Sequence, residues 1–335
     1  MVVGLFAVEL SMALDHVTDS IGRTPLVRLS RLFPHGLEVY AKLELCNPGG
    51  SVKDRPARYI LEQAIAEGAL RPGMHVVESS SGNLAIALAM LCNRHDLRFT
   101  AVVDPKISPA NLQLIRCHGG GVDTVDEKDS NGGYLETRIA RVRQLLAADP
   151  QAVWINQYAN PRNWLAHFHG EGEELVQALS ASPPDVLVLG VSTSGTLHGI
   201  ARRLRQTWPT LRVVAVDAAG SVLFGTPAHA RELPGIGASR VPELLCREEV
   251  DEVIHIDDYE AASACRELVR REGIFAGGSS GAVIAAIQRL AGRPGTAPAR
   301  VVTLLPDRGD RYFDTVYDDA WLARVHEHHR RRNAN

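Results

Sequence analysis

The sequence predicts an α/β protein of two domains with parallel sheets. Short runs rich in β-branched residues alternate with amphipathic runs along most of the chain, the signature of βαβ units. The 335 residues, 45% of them hydrophobic, suffice for more than one core. Gly, Ser and Thr concentrate in loops that leave a strand-like run and enter a helix-like one, where open parallel sheets hold ligands.

Examples of the strand-like runs, in chain order, are Val39–Leu45, His75–Glu78, Phe99–Val103, Val186–Val191, Val213–Val216 and Val301–Leu305. Helical spacing separates them at Ala57–Ala66, Leu84–Asn93, Tyr134–Ala147, Thr196–Gln206, Tyr259–Arg271 and Ala282–Leu290. Pro183–Pro184 and Arg293–Pro298 read as surface connections. No repeat of fixed period interrupts the pattern.

Composition excludes several classes. With 36 basic and 39 acidic residues the net charge is −3, which argues against a nucleic-acid binder or a disordered chain. The five cysteines (Cys46, Cys92, Cys117, Cys246, Cys265) form no C-x-x-C pair. That pattern predicts reduced, buried thiols in a cytoplasmic protein, with neither zinc nor a disulfide framework. The apolar stretch Val2–Leu14 lacks a basic start and is interrupted by Glu9, so it does not read as a signal peptide. No apolar run approaches the roughly 18 residues of a membrane span. The segment His326–Arg332 is expected to be a solvated, frayed end and not a metal site.

Four loops carry the candidate chemistry. In Asn47–Arg55, Ser51 can cap a helix, with Asp54 completing a capping-box-like pair. Lys53 then lies in the first helical turn, whose positive end disfavours an ammonium and favours the neutral amine of a Schiff base. Read alone, Lys53 is more readily an exposed lysine beside an Asp–Arg pair, since most lysines are surface charges. The run Ser192-Thr193-Ser194-Gly195-Thr196 follows a strand and opens a helix. Its amides, hydroxyls and helix dipole suit an anion, and the missing Gly-Lys-Ser/Thr argues against a nucleotide P-loop. Ser79-Ser80-Ser81-Gly82-Asn83 suits a carboxylate, with Asn83 able to reach a phenolic oxygen. Gly277-Gly278-Ser279-Ser280-Gly281 allows close approach to a flat ring, with a serine hydroxyl for a ring nitrogen. Each of the three serine loops is, by itself, also a plain helix cap or packing turn.

Together and in this order the four loops resemble the cysteine synthase and cystathionine β-synthase family of fold-type II pyridoxal 5′-phosphate (PLP) enzymes. The resemblance runs from about Ile21 to Tyr312, with Gly22-Arg23-Thr24-Pro25-Leu26 near its start and Leu305-Pro306-Asp307-Arg308-Gly309-Asp310-Arg311-Tyr312 near its end. It implies two three-layer α/β/α domains of the tryptophan synthase β-like type. A smaller mobile one would span 47–156. A larger one would join 1–46 to 157–325, and 326–335 would be a tail. It implies a Schiff base on Lys53, Asn83 at the PLP 3′-oxygen, Ser192, Thr193, Ser194, Gly195 and Thr196 on the phosphate, and Ser279 at the pyridine nitrogen. Ser80, Ser81 and Gln157 would bind the substrate carboxylate, and a homodimer is implied. A neutral hydroxyl at the ring nitrogen favours loss of a β-substituent over transamination. Lys53 would serve as general base.

Departures narrow the resemblance. Leu84 and Ala85 follow the loop asparagine, Ser192 and Ser194 replace glycines common in the phosphate loop, and Ser239-Arg240 stands where many relatives have Gly-Phe. These features, with Val103–Pro109, Gly132–Leu135, Trp154–Asn160 (including Tyr158) and Ala218–Val222, resemble the branch serving 2,3-diaminopropionate synthesis for siderophores and antibiotics. That branch implies O-phospho-L-serine and L-glutamate as substrates. Arg138 and Arg240 are the candidates for their phosphate or carboxylates, since a charge-assisted bond contributes roughly 1.5–3 kcal/mol. For either arginine the other reading is a surface salt bridge. A cysteine synthase using sulfide, and a PLP-binding protein without activity, are the competing functions. A dinucleotide enzyme fits poorly, because Gly119-Gly120-Gly121 follows a helix.

Overall fold

A computed structural model describes residues 13–129, 132–293 and 300–333. The expectations for residues 2–12 and 294–298 lie outside the described residues.

The chain opens with an antiparallel pair, β1 (Leu26–Arg28) and β2 (Glu38–Leu43). There follow α1 (Asp54–Ala66), β3 (His75–Ser79), α2 (Asn83–Arg94), β4 (Arg98–Val103), α3 (Pro109–Cys117), β5 (Gly121–Thr124), α4 (Leu135–Ala148) and β6 (Val153–Trp154). Next come α5 (Arg162–His167), a π-helical turn at Phe168–Gly172, α6 (Glu173–Leu179), β7 (Val186–Gly190), α7 (Gly195–Thr207) and β8 (Arg212–Ala218). The chain closes with β9 (Glu252–Ile256), α8 (Asp258–Glu272), α9 (Gly278–Ala291), β10 (Arg300–Leu305) and α10 (Asp319–Asn333).

These strands build two sheets. One has six strands in the order β1-β2-β10-β7-β8-β9, parallel throughout except at β1–β2. The other has four parallel strands in the order β5-β4-β3-β6. Strands such as β7 (VLVLG) are apolar on both faces because helices cover both. On the larger sheet, α8 and α9 bury Ala262, Leu268, Val283 and Ile287 on one face, while α7 buries Leu197, Ile200 and Leu204 on the other. On the smaller sheet, α2 is buried from Leu84 to Cys92, as a helix apolar all round must be. Val142 of α4 packs on its opposite face. Both sheets are therefore the middle of an α/β/α sandwich, as expected.

Every predicted helix and strand exists, within a few residues at each end. Four expectations need correction. Val39–Leu45 ends as a strand at Leu43, because Glu44–Cys46 turns into a 3₁₀ segment. Ser51 does not build a capping box with Asp54. Its hydroxyl accepts from the Lys53 amide at 3.2 Å, and Asp54 reaches back to the Gly49 amide at 2.6 Å. The thiols are not all buried, for Cys46 and Cys117 are exposed. The basic end is not frayed: α10 runs to Asn333, with His326 stacked on Tyr259 at 4.3 Å and His329 bonded to Asp257 at 2.7 Å. Those contacts hold its last turns in place. Among the described residues no helix is long and apolar enough to cross a membrane.

Candidate active site

The loops at Ser79–Asn83 and Ser192–Thr196 follow the carboxyl ends of β3 and β7, whereas Gly277–Gly281 joins α8 to α9 and not a strand to a helix; contacts link all of them with the Lys53 loop. Lys53 caps α1, and the segment before it is laced to the end of β10. The Val52 amide donates to the Pro306 carbonyl at 2.7 Å, and Ser51 pairs with Asp307. Lys53 is half-buried. Burial pushes its amine below the ordinary lysine range, against the opposing pull of Asp307 and Glu171. Desolvation thus does what the helix end was expected to do.

A chain of contacts links the remaining loops. Asn83 donates from Nδ2 to Asp307 Oδ2 at 2.8 Å, and its Oδ1 accepts from Arg311. The Tyr312 hydroxyl also donates to Asp307 Oδ2, at 2.7 Å. Gly235 lies against both the Ser279 hydroxyl and the Tyr312 hydroxyl, so Ser279 faces the same space. Two residues on, Gly237 accepts from the Ser192 hydroxyl at 3.0 Å. The Thr193 hydroxyl accepts from Asn163 Nδ2 at 3.4 Å, and the same amide donates to the Gln157 carbonyl at 2.7 Å. Gln157 in turn donates to the Ser79 carbonyl at 3.4 Å, at the start of the loop that carries Ser80, Ser81 and Asn83. The contacts thus join the loops in one closed circuit.

The geometry of the Ser192–Thr196 loop has a local cause. Ser194 adopts a left-handed conformation (φ 67°), which turns the chain so that α7 begins at Gly195. The first amides of α7 have no intrahelical acceptor and point out of the helix end. A side chain at Gly195 would stand 2.4 Å from Asn163 Oδ1, so only glycine fits there. The hydroxyls of Ser192 and Ser194 are spent on backbone carbonyls, the latter on Thr193 at 2.6 Å.

Arg138 and Arg240 both bear on Tyr158. The Arg240 guanidinium lies 5.1 Å from the Tyr158 ring centre, and burial raises the Tyr158 hydroxyl against the lowering charges of Arg138, Arg240 and Arg231. Arg138 bonds Asp104 at 3.2 Å and Arg240 bonds Glu243 at 3.0 Å, so both salt-bridge readings are present. Yet each leaves a buried Nε without a partner. Arg231 was not foreseen. It is half-buried and donates to the Ile236 carbonyl and the Ser239 hydroxyl. Asp307, Arg311 and Tyr312 stood in a recognised motif without an assigned role. Glu78, buried under the Ser79 loop, gave no local signal. Burial pushes its carboxyl up to about 7, against donors from Trp154 and Gln157.

These residues fit PLP: a desolvated amine, a helix end with no room for a side chain at its first residue, and an orphaned buried hydroxyl on Ser280 beside Ser279. The comparisons with known proteins agree. Residues 17–307 match the family described as "Pyridoxal-phosphate dependent enzyme". Two relatives are each 68% identical over 94% of this chain and 93% of their own. They are the N-(2-amino-2-carboxyethyl)-L-glutamate synthases of Ralstonia nicotianae and Cupriavidus metallidurans. Among solved structures, O-ureido-L-serine synthase aligns with a TM-score of 0.84 at 34% identity, covering 93% of this chain and 99% of its own. The O-acetylserine dependent cystathionine beta-synthase from Helicobacter pylori aligns at 0.83 and 32%, covering 91% and 98%. The chain is therefore a fold-type II enzyme and belongs to the pyridoxal-phosphate dependent enzyme family.

Proposed function

We propose that the protein replaces the phosphate of O-phospho-L-serine with the α-amine of L-glutamate, releasing inorganic phosphate and forming N-(2-amino-2-carboxyethyl)-L-glutamate. The observation that carries this reading is the 68% identity, over 94% of the chain, to two synthases of that product. Bound PLP supplies an electron sink for the substrate's Cα, so that the Cα proton and the β-substituent can leave.

The chain's own residues do the rest. Lys53 Nζ holds the cofactor and, once released, takes the Cα proton. Its desolvation favours the neutral amine, whose lone pair is then free to accept that proton. Ser80, Ser81 and Gln157 hold the substrate carboxylate. Arg138, Arg240 and Arg231, gathered about Tyr158, answer the charge that phosphoserine and glutamate bring in. Asn83 and Ser279 orient the ring. Residues 47–156 act as the smaller moving unit, closing on 1–46 with 157–325. The active form is a cytoplasmic homodimer, and the product feeds 2,3-diaminopropionate synthesis for a siderophore or antibiotic.

The test is one incubation of PLP-loaded protein with phosphoserine and a panel of L-glutamate, other amines and sulfide, read by mass spectrometry and phosphate release. The glutamate adduct is expected to dominate. Cysteine as the main product, with glutamate unused, would make the protein a sulfide-using cysteine synthase instead.

A further inference from the structure

The turn after β10 carries a guanidinium that no step above uses. Residues Gly309–Tyr312 form a 3₁₀ turn that is fixed at both ends. The Gly309 amide donates to the Phe275 carbonyl at 3.1 Å, and a side chain at Gly309 would stand 2.9 Å from the rings of Phe275 and Tyr317. Tyr312 is buried, with its hydroxyl on Asp307. Arg311, between these anchors, is half-buried and reaches two loops of the segment 47–156. Its Nη1 donates to Asn83 Oδ1, and its Nη2 donates to the Gly49 carbonyl at 2.5 Å. The Gly49 amide donates to Asp54 Oδ2 at 2.6 Å, so both peptide groups flanking Gly49 are held, four residues before Lys53. Gly50 has φ 80°, and a side chain there would stand 3.1 Å from Arg311 Nη2 and 3.3 Å from Arg308 Cδ. The Lys53 loop runs this close to the guanidinium because residue 50 is glycine.

The Asn83 contact settles the direction of its side-chain amide. A guanidinium only donates, so it must meet the amide oxygen. The other end of the amide lies 2.8 Å from Asp307 Oδ2, the oxygen that also accepts from the Tyr312 hydroxyl, and there the amide nitrogen donates. An amide nitrogen has two hydrogens. One goes to Asp307, and among the described residues the second has no protein acceptor.

We infer that Arg311 is a positioning residue for the cofactor: it fixes the Asn83 amide and makes its free Nδ2 hydrogen a strong donor to the ring oxygen, while holding the Lys53 loop through Gly49. A cation on an amide oxygen draws charge from the nitrogen, and that polarisation strengthens the N–H donor at the other end. With Oδ1 on Arg311 and one hydrogen on Asp307, the remaining hydrogen has a single direction. Without Arg311 the amide keeps only its Asp307 contact and can turn about it. One guanidinium makes both contacts, so Asn83 and the Lys53 loop keep their relative placement. This inference rests on Asn83 belonging to the ring site proposed above.

The experiment loads the full chain with PLP or with its 3-deoxy analogue, which lacks the ring oxygen, and measures the dissociation constant of each by titration. Asn83→Ala should weaken PLP about 10- to 100-fold, as for a hydrogen bond to a charged group, and the analogue by less than about twofold. Arg311→Met should weaken PLP relative to the analogue about three- to tenfold, half of that bond in free energy, because charge assistance roughly doubles a bond. Whatever part of its effect runs through Gly49 falls on both ligands and cancels in the ratio. Added to Asn83→Ala, Arg311→Met should leave the ratio within about twofold. A crystal structure of the wild-type PLP-loaded protein needs no variant to fold. It should keep Arg311 on Asn83 Oδ1, and a guanidinium beyond hydrogen-bond reach there overturns the inference. Equal losses for PLP and the analogue in Arg311→Met overturn it too, because they mark a merely structural role. Equal losses in Asn83→Ala remove Asn83 from the ring oxygen and sink the site assignment beneath the inference. A selective loss in Asn83→Ala with an unchanged ratio in Arg311→Met sinks the inference alone.

Discussion

At the scale of single residues, burial decides which groups are reactive. Lys53 is the clearest case. Desolvation lowers its amine, while Asp307 and Glu171 keep it from falling further. Lys53→Ala should abolish the visible absorbance of PLP-loaded protein, checked by spectrophotometry. A normal borohydride-reducible adduct in that variant would mean another lysine is used. Arg240 makes a second case. Its exposed end pairs with Glu243, but its Nε is buried and unpartnered against Tyr158. Arg240→Ala should lower kcat/KM for phosphoserine by about 10- to 100-fold, the worth of a charge-assisted bond, and for O-acetylserine far less. Equal losses on the two substrates would show that Arg240 only packs. The sequence revealed these side chains because each sits in a loop with its own local pattern. Arg231 and Glu78 stayed hidden because neither has one. Arg231 matters through the fold of its loop, and Glu78 through the depth of the strand that carries it.

Secondary-structure elements set the geometry, and most were legible because each strand and helix is long and cleanly patterned. Those missed, β1, β5, β6 and β9, are short or carry polar residues, so alternation gave little to count. The misread cap at Ser51 has a tertiary reason: the segment pairs with the end of β10, which pulls Ser51 out of capping position. Two predictions belong here. Gly199→Ala would force α5 away from α7, since its Cβ would lie 2.2 Å from a backbone oxygen. It should cost about 1–3 kcal/mol of stability, read by denaturant unfolding. At the end of β3, Glu78 has a folded-state carboxyl value raised to about 7. Below its unfolded value near 4.5, both states are protonated and nothing is lost. As pH rises from there to about 7, only the unfolded state ionises, so stability falls by about 3 kcal/mol and then levels off. Glu78→Gln lacks that slope. The stability difference between variant and wild type should therefore swing in the variant's favour by about 3 kcal/mol between pH 4.5 and 7.5. A flat difference would place the Glu78 carboxyl near its ordinary value.

Across the whole molecule, the two sheets have separate cores; α1 is tied to the rest of the molecule through Arg55, ion-paired with Glu44, Glu171 and Glu174, while the segment beyond α1 is joined through contacts that include Asn83 to Asp307 and Arg311 and Gln157 to the Ser79 carbonyl. The segment beyond α1, with its own core and outside that buried network, is the part freer to shift. On the side of the smaller sheet, the Ser81 carbonyl accepts from Asn111 Nδ2 at 3.1 Å, which ties the 79–83 loop to α3. A substrate carboxylate held by Ser80, Ser81 and Gln157 would draw that loop and α3 inward together, closing the cleft to water before the β-substituent leaves. Hydrogen exchange on the PLP-loaded protein checks this. Adding phosphoserine should slow exchange across residues 79–83 and α3, while α8 and α9, packed on the far sheet, should not change. Asn111→Ala should uncouple the pair, raising KM for phosphoserine more than it lowers kcat. Uniform protection of both sheets would instead mean that substrate tightens the molecule as one body, with no closing unit at 47–156.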